Sequence, residues 1–585
     1  MAESIISPGV FARENDISFI NPAPVEAGAA ILGPTVKGPV EEPTIVTSYN
    51  EYTRKFGDTF LSGSTKQEFL TSIAVKNYFQ QGGNTVLVTR IVTGSFSAAS
   101  STHVSSSTND SVQPFELKTL GKGDIFNNST SITEPGDEIA GSGGVLVSGS
   151  ADNIRWEVQN VDNKKGTFTL LVRRGNDSHN AKVSIETFNN ISLDPESTNY
   201  IEKAIGTQYK TPATDGAKDY IKTVGDYVNM SNYIYVSAVN TQTTQYLQND
   251  GITVNVDGAG ASYSGSLPIA ESGSFYNATG TNAVANANYF GSISNNNSQG
   301  MTSGNYTRAV SILDNKDEYI FNIVSAPGLI YENADQGGTL DSIITLAEQR
   351  GDCIAVVDLD GYGSTVASAT STATSLNSSY AAAYWPWLQV VSATGRNVWV
   401  PASTVIPGVY AFTDNSSAPW FAPAGLVRGG IAGVIQAEQK LTRGQRDLLY
   451  DGKVNPIATF PGQGIAVFGQ KTTQTKASAL DRVNVRRLLI ELKKFLGDQA
   501  RNLVFEQNTV ATRNKFLSTV NPYLESVVQR QGLYAFRVVM DDTNNTADVV
   551  DRNQLIGQIF IQPAKTAEFI VLDFTVEPTG ATFNG

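Results

Sequence analysis

The stretch FPGQGIAVFGQKTT (460–473) sets Gly464 and Gly469 five positions apart and follows them with Lys471 and Thr472. A phosphate-binding loop needs glycine, four residues, glycine, and then lysine and serine or threonine directly. Here Gln470 delays the lysine by one place, and the residues between the glycines are Ile465, Ala466, Val467 and Phe468. A loop that turns its amides inward around an anion wants small, permissive residues at those positions. Four apolar residues bounded by Pro461-Gly462 and Gly469 read instead as a buried strand. The stretch is assigned to a sheet, not to a nucleotide.

Composition points the same way. With 585 residues the prior is about four domains, each able to bury a core. Hydrophobic residues make up 40% and charged residues only 17%, with heavy use of Gly, Ser, Thr and Asn, which suggests β-rich structure and long polar loops. A formal charge of −13 argues against nucleic acid as a partner, because neutralising phosphates needs clustered Lys and Arg. No run is apolar enough to insert in a bilayer, and the start, Met1-Ala2-Glu3-Ser4, lacks the basic and apolar parts of a signal peptide. The expectation is a soluble chain made in a reducing compartment. Its one cysteine, Cys353, excludes internal disulfides and thiolate metal clusters.

Catalytic chemistry is thin. The two histidines, His103 and His179, stand in polar, loop-like surroundings without the spacing of a triad or a metal site. Cys353, in GDCIAVVDLDG, reads as a strand residue. The same strand ends in Asp358-Leu359-Asp360-Gly361, which resembles the nucleophile loop of haloacid-dehalogenase-type phosphatases. There the first aspartate attacks phosphorus and the second serves as acid and base. Tyr362 stands where that family has a threonine soon after, and no acidic pair for magnesium follows. Such carboxylates also arise as loop and helix-cap groups. No catalytic, cofactor-binding or metal residue is assigned, and the expected class is not an enzyme.

Along the chain, SIISPGVFARENDISFINPAPVEAG holds strand-like runs broken by Pro8-Gly9, Pro22 and Pro24 with no hairpin partner nearby, so it reads as an extended arm. Ser64 and Thr65, followed by Gln67 and Glu68, give a helix start. Phe69, Leu70, Ile73 and Ala74 then form its apolar stripe, and Gly82-Gly83 ends it. TVLVTRIV (85–92) is a strand. From about Gly94 to Asn305 the chain turns rich in Ser, Asn, Gly and Thr, and 272–307 contains no charged residue. Recurrent Tyr and Phe favour an exposed, largely β insertion over disorder. Alternation of helix and strand resumes with EYIFNIVSAPGLI, a helix over 340–350 and the Cys353 strand. The charge-free run 361–395 reads as a loop leading to a short helix.

The clearest periodicity lies in DRVNVRRLLIELKKFLGDQARNLV (481–504). At about 100° per residue, Val485, Leu488, Leu489, Leu492, Phe495 and Leu496 share one face. Arg486, Arg487, Lys493, Lys494 and Arg501 fall opposite them. A solvated face is the default meaning of such charges, and a basic stripe on an acidic protein is also suited to an acidic partner. A second helix over 509–531 and the strands LYAFRVVM, QLIGQIFIQP and EFIVLDFTVEP close the chain.

These segments, in this order, resemble the contractile tail sheath proteins of myophages. SPGVFARE is similar to the family's amino-terminal signature. AAILGPTVKGPVEEPTIVTSYNEYTRKFG and AVKNYFQQGGNTVLVTRIV are similar to its first folded block. IVSAPGL, AAAYWPWLQV, VWVPASTVIPGVYAFTDNSSAPWFAPAG, NPIATFPGQGIAVFGQKT, NVRRLLIELKKFL and VFEQNT extend the match. The resemblance implies a mixed α/β, multidomain fold: an α/β sheath core, a β-rich outer insertion and extended terminal arms. The expected parts are an arm over 1–22, a middle domain over 23–94 with 306–400, the insertion over 95–305, a carboxyl-terminal domain facing the tube over 401–568, and a final strand or arm over 569–585.

The resemblance further implies a subunit of stacked hexameric rings around an inner tail tube, contracting to drive the tube through the host envelope for genome delivery. Pro8, Gly9, Val10, Phe11, Ile17 and Phe19 would form the inter-subunit arm, adding a strand to a neighbour's sheet. Arg486, Arg487, Lys493, Lys494 and Arg501 would face the tube. Partners would be other copies of the chain, the inner tail tube protein, and baseplate and tail terminator proteins, with no cofactor. The place would be the virion tail, assembled in the host bacterial cytoplasm. The sheath of a phage-tail-like bacteriocin or injection system is the alternative, and a magnesium-dependent phosphatase using Asp358 and Asp360 the remote one.

Overall fold

The computed structural model describes residues 26–568 apart from 63–64, 103, 105, 107–112, 129–141, 217, 282–290 and 292. The arm residues Pro8, Gly9, Val10, Phe11, Ile17 and Phe19, the final segment 569–585 and His103 lie outside the described residues.

An eight-stranded sheet forms the centre. Its elements, in chain order with the helices between them, are β1 (Ala29–Gly33), β2 (Thr44–Val46), α1 (Tyr49–Phe56), α2 (Leu70–Gln80), β3 (Val86–Arg90), β4 (Ile323–Ile330), α3 (Ala334–Arg350), β5 (Ile354–Asp358), α4 (Val366–Ala373), β6 (Ala381–Trp385), α5 (Ile406–Ser416), α6 (Arg443–Asp451), β7 (Val454–Phe460) and β8 (Gly464–Val467). The order across the sheet is β8-β7-β6-β5-β4-β1-β3-β2. The six strands from β7 to β3 run parallel, while β8 and β2 close the two sides as antiparallel edges. Parallel strands need helical crossovers, so both faces are covered and the strands read as continuous apolar runs. Accordingly β1, β3, β4, β5 and β6 are buried at every residue.

The period of two divides these side chains between two cores. Ala29, Ile31, Val88, Val356 and Tyr384 face a core shared with α2 and α5. Ala30, Leu32, Leu87, Val357 and Trp385 face one shared with α3, α4 and the helix Thr307–Leu313. Gly408 lets α2 and α5 approach closely, since a Cβ there would meet the Gln81 side chain at 2.8 Å and the Asn77 carbonyl oxygen at 3.1 Å.

Two expectations change here. The helix start read at 64–68 is in part a strand: Thr65–Gln67 pairs with Phe60–Ser62. The α2 N-cap, Phe69, offers no side-chain acceptor. The Leu70 amide instead donates to Gln299 Oε1 at 2.8 Å, so the cap comes from a distant part of the chain. The run 361–395 also holds more than a loop and helix, because Ala381–Trp385 is a central strand and Leu388–Val391 joins a three-stranded sheet with Asn397–Val400 and Val434–Ala437.

The insertion is a sandwich. Strands Ser184–Ser192, Thr167–Arg174, Ile154–Asp162 and Ser272–Gly273 form one sheet; Ile234–Val239, Phe115–Lys122, Ala98–Ser101 and Phe275–Tyr276 form the other. They share a core around Trp156, Leu170 and the stacked rings of Phe115 and Phe168, whose centroids are 5.6 Å apart. Its two ends meet where the Ser97 amide donates to the Thr279 carbonyl at 3.0 Å. Residues 293–306 pack back on the central sheet, with Ser298 Oγ donating to the Gly328 carbonyl at 2.6 Å. The boundary expected at 305 therefore falls inside the core packing. Similarly, β7 and β8 carry the central sheet past the boundary expected at 400.

Beyond β8, α7 (Val483–Arg501) and α8 (Val510–Gln529) pack with Trp420 over a separate small core. A hairpin of β9 (Leu533–Val539) and β10 (Gln558–Pro563) stands on it.

Candidate functional site

Three places could carry chemistry, and the fold accounts for each. The 460–473 stretch is the β7–β8 hairpin, with Ile465 facing Thr459 and Val467 facing Ile457 across the ladder. Ile465, Ala466 and Val467 are buried as a strand requires, while Phe468 is exposed. Gly462 and Gly464 turn the chain at φ of 74° and 85°. No helix follows to aim amides at a phosphate, and the Lys471 ammonium lies 4.3 Å over the Tyr450 ring.

In an open parallel sheet the usual ligand crevice lies outside the carboxyl ends of the strands, where the strand order reverses. That point is between β1 and β4. It is plugged by the 298–299 turn. Gln299, fully buried, accepts from the Leu70 amide and reaches the Pro327 carbonyl at 3.4 Å, while Ser298 holds Gly328. Packing occupies the space a cofactor would take.

Asp358 ends β5, with its carboxylate accepting from the Ser403 amide at 2.9 Å and from the Ser403 hydroxyl. It thereby orders the turn Ala402–Thr404 that leads into α5. Burial pushes its carboxyl up to about 7, against those two hydrogen bonds. Asp360 is also buried, and the Trp387 indole donates to its backbone carbonyl at 3.0 Å. Among the described residues no group of three His, Cys, Asp or Glu is placed to hold a metal ion. Of the two aspartates in the nucleophile-loop likeness, Asp358 is engaged as a loop cap. Cys353 is fully buried, and burial pushes its thiol far above the ordinary range; His179 is exposed.

The basic helix divides. Arg486 and Arg487 are not on a solvated face: they are 4% and 3% exposed. Arg487 Nη2 donates to both carboxylate oxygens of Asp414 of α5, at 2.8 and 2.6 Å, and the guanidinium lies 4.7 Å over the Tyr410 ring. Arg486 lies 4.0 Å over Tyr380 and donates to the Ser379 carbonyl at 3.2 Å. The first two turns of α7 are packed on all sides, from Val483 through Leu488. Past that point the stripe emerges: Lys494 pairs with Glu26, Lys493 reaches the Tyr380 hydroxyl at 3.1 Å, and Arg501 pairs with Asp317 at the exposed end.

A further feature is not legible in the sequence. Strands β9 and β10 pair with each other and with no other strand among the described residues, leaving both outer edges open. Tyr534 and Phe560 project from them, 64% and 56% exposed. After β10 the chain is led away by Glu568, which accepts from Arg482 at 2.7 and 3.1 Å and from Gln470 at 3.0 Å. Runs such as LYAFRVVM announced strands, but only three-dimensional pairing shows that no third strand among the described residues pairs with them.

The model of the phage tail sheath protein central domain matches residues 299–473, and that of the phage tail sheath C-terminal domain matches 475–577. The tail sheath protein of Vibrio phage KVP40 is 45% identical over 188 residues, 32% of this chain and 28% of that protein. That of Enterobacteria phage T4 is 40% identical over 188 residues, with the same two shares, 32% and 28%. The matched part is thus under a third of the length of either relative. A sheath tail protein from Listeria innocua superposes with a TM-score of 0.51 over 92% of this chain and 96% of its own, at 11% identity, and so shares the fold.

Proposed function

Through residues 299–473 and 475–577 the chain belongs to the phage tail sheath family, and from that membership we propose that it is the structural subunit of a contractile sheath, stacked as six-membered rings around an inner tail tube. The observation that carries this reading is the β9–β10 hairpin, with whose outer edges no other strand among the described residues pairs. Rows of unpaired N–H and C=O groups are a template for another chain's strand. The chain supplies two candidate strands, the segment 1–22 with Val10, Phe11, Ile17 and Phe19, and the segment 569–585. Added to the hairpins of neighbouring subunits, they would link each subunit to others by main-chain bonds that move with the hairpin. Rings could then compress and rotate without separating.

On this reading the extended sheath is a higher-energy state held until the baseplate fires, and its relaxation drives the tube through the host envelope. Assembly stores the energy, and no nucleotide is consumed. Lys493, Lys494 and Arg501, at the emergent part of α7, would face an acidic tube. Contacts made by screened charges release more readily than a broad apolar patch. Baseplate and terminator proteins would bound the polymer in the virion, assembled in the host cytoplasm.

Deleting residues 1–20 tests the link. The truncated chain should fold, since β1 begins at Ala29, yet give no tubular polymers by negative-stain microscopy. Val10→Pro should act similarly, because proline removes a ladder donor and fixes the backbone. Stable striated tubes from the truncated chain would rule the arm out as the link.

A further inference from the structure

The described chain ends at Glu568, and the place where it does so is fixed. Arg482 donates to the Glu568 carboxylate at 2.7 and 3.1 Å, Gln470 donates at 3.0 Å, and the Tyr450 hydroxyl hydrogen-bonds to it as well. These partners come from the N-cap of α7, the stretch after β8 and the end of α6, not from the β9–β10 hairpin. From this clamp a continuous strip of rings and cations leads along the surface. The Lys471 ammonium lies over the Tyr450 ring, and a Cβ on Gly469 would meet that ring at 3.1 Å. One residue earlier, Phe468 packs on Phe460 with centroids 4.9 Å apart. Arg446, one turn before Tyr450 on α6, lies 5.2 Å over Phe460 and 5.4 Å over Phe468. Phe468 is 44% exposed, an uncovered aromatic just past the end of β8.

Residues 569–576, FIVLDFTV, are the chain that starts from the clamp. They comprise six apolar residues, one threonine and one charge, Asp573. Apolar side chains gathered in one short stretch favour burial. An extended chain covers about 3.3 Å per residue, so eight residues reach about 26 Å; the clamp and Arg446 are separated by one helical turn, about 5.4 Å. The stretch therefore reaches the strip without leaving the subunit. Asp573 is opposite in charge to Arg446 and Lys471, and arginine set among aromatic rings is the composition on which docking energy concentrates.

We infer that in the unassembled subunit residues 569–576 dock on the Phe460, Phe468 and Arg446 strip of their own chain. The stretch that the sheath reading gives to a neighbour is then withheld until assembly, and polymerisation exchanges a contact within one chain for a contact between two. The withholding rests on the sheath reading; the docking does not. Hydrogen exchange of the full chain, read by mass spectrometry at concentrations where no tubes form, tests the docking. Amides of 569–576 should exchange about tenfold or more slower than an unstructured chain, and equally at low and high dilution. Phe468→Ser, at an exposed position, should raise their exchange about tenfold, the scale of one buried aromatic side chain. Tyr534→Ser, on the β9–β10 hairpin, should leave it unchanged. Exchange at the unstructured rate in the unmodified chain would overturn the docking. So would protection that grows with protein concentration, which means a second copy, or protection lost in Tyr534→Ser, which means the chain's own hairpin. Indifference to Phe468→Ser would overturn it equally, and Arg446→Gln carries that comparison if Phe468→Ser fails to fold. For the withholding, Phe468→Ser should form tubes at a lower protein concentration than the unmodified chain. An unchanged threshold with the stretch released overturns the withholding, whereas a protected stretch in a chain that forms no tubes under any condition counts against the sheath reading and leaves the docking standing.

Discussion

Asp358 couples the fold to pH. Its carboxyl, with a folded value of about 7 because of burial, keeps a proton that an unfolded aspartate releases near pH 4. The stability this proton contributes is full below about pH 4 and is lost as pH rises through about 7, to the extent of about 4 kcal/mol. Asp358→Asn keeps an acceptor for the Ser403 amide, offers a donor to its hydroxyl and cannot ionise. Melting curves between pH 5 and 8 should show the unmodified chain losing stability relative to this variant as pH rises; parallel curves would mean the carboxyl is ionised throughout. Arg487 behaves oppositely, as an ion that must stay paired. Arg487→Gln leaves Asp414 without its partner and should cost about 3–5 kcal/mol in urea unfolding. Neither burial was legible in the sequence. A helical projection sorts residues by angle alone, and Asp414, 73 positions away, gives no local sign that it will meet Arg487.

Whole elements were more legible than their ends. Strong apolar runs located β3, β4, β5 and the Ile465–Val467 strand, because a strand buried on both faces must be apolar throughout. The start of α2 was misplaced because its cap is Gln299, and β6 was missed because AAAYW carries few strand-forming residues until its last two. Two substitution series follow from the observed elements. Gly462→Val forces a β-branched residue to φ 74° and should cost about 1–2 kcal/mol, read as a lower melting temperature with the oligomeric state of the monomeric form unchanged. On α7, depth decides the outcome. Reversing Lys493 and Arg501, both exposed, should leave melting unchanged and impair co-assembly with tube. Reversing Arg486 and Arg487 should unfold the monomer instead. Normal sheathed tails from the first variant would remove the tube-facing role.

At the scale of the molecule, the sequence showed where the sandwich begins but not where it ends. The compositional change at about Gly94 lies next to Ser97, where the chain leaves the core. Residues 293–306 share the uncharged, polar character of the sandwich yet plug the central sheet through Ser298 and Gln299. At Ser298 and Gln299 polarity reflects hydrogen bonding inside the core, while Ser294, Asn295 and Asn296 beside them are exposed, a distinction composition does not make. The excision that tests separability must therefore remove 98–278, sparing 293–306. The ends already meet through the Ser97–Thr279 hydrogen bond, so a few Gly and Ser residues span them. The cost is the loss of contacts along the seam, chiefly the hairpin Tyr209–Asp215 and Lys218–Val224 against the helix Thr307–Leu313. There Lys218 pairs with Asp314 at 2.5 Å and the Asp219 amide meets Ser311 Oγ at 3.4 Å. The Lys218 and Asp219 contacts are polar and largely exposed, and exposed pairs contribute about 0–1 kcal/mol; the larger losses are Ile221, which packs on the core, and the Lys122 carbonyl that accepts from the buried Arg90 guanidinium at 2.8 Å. The excised chain should remain folded with a lower melting temperature and still polymerise, because β9, β10 and both terminal segments are untouched. A wider excision of 95–305 should fail by comparison, since it removes the Leu70 cap and opens the crevice between β1 and β4. If the two excisions behave alike, Gln299 does not hold the core in the way its hydrogen bonds indicate.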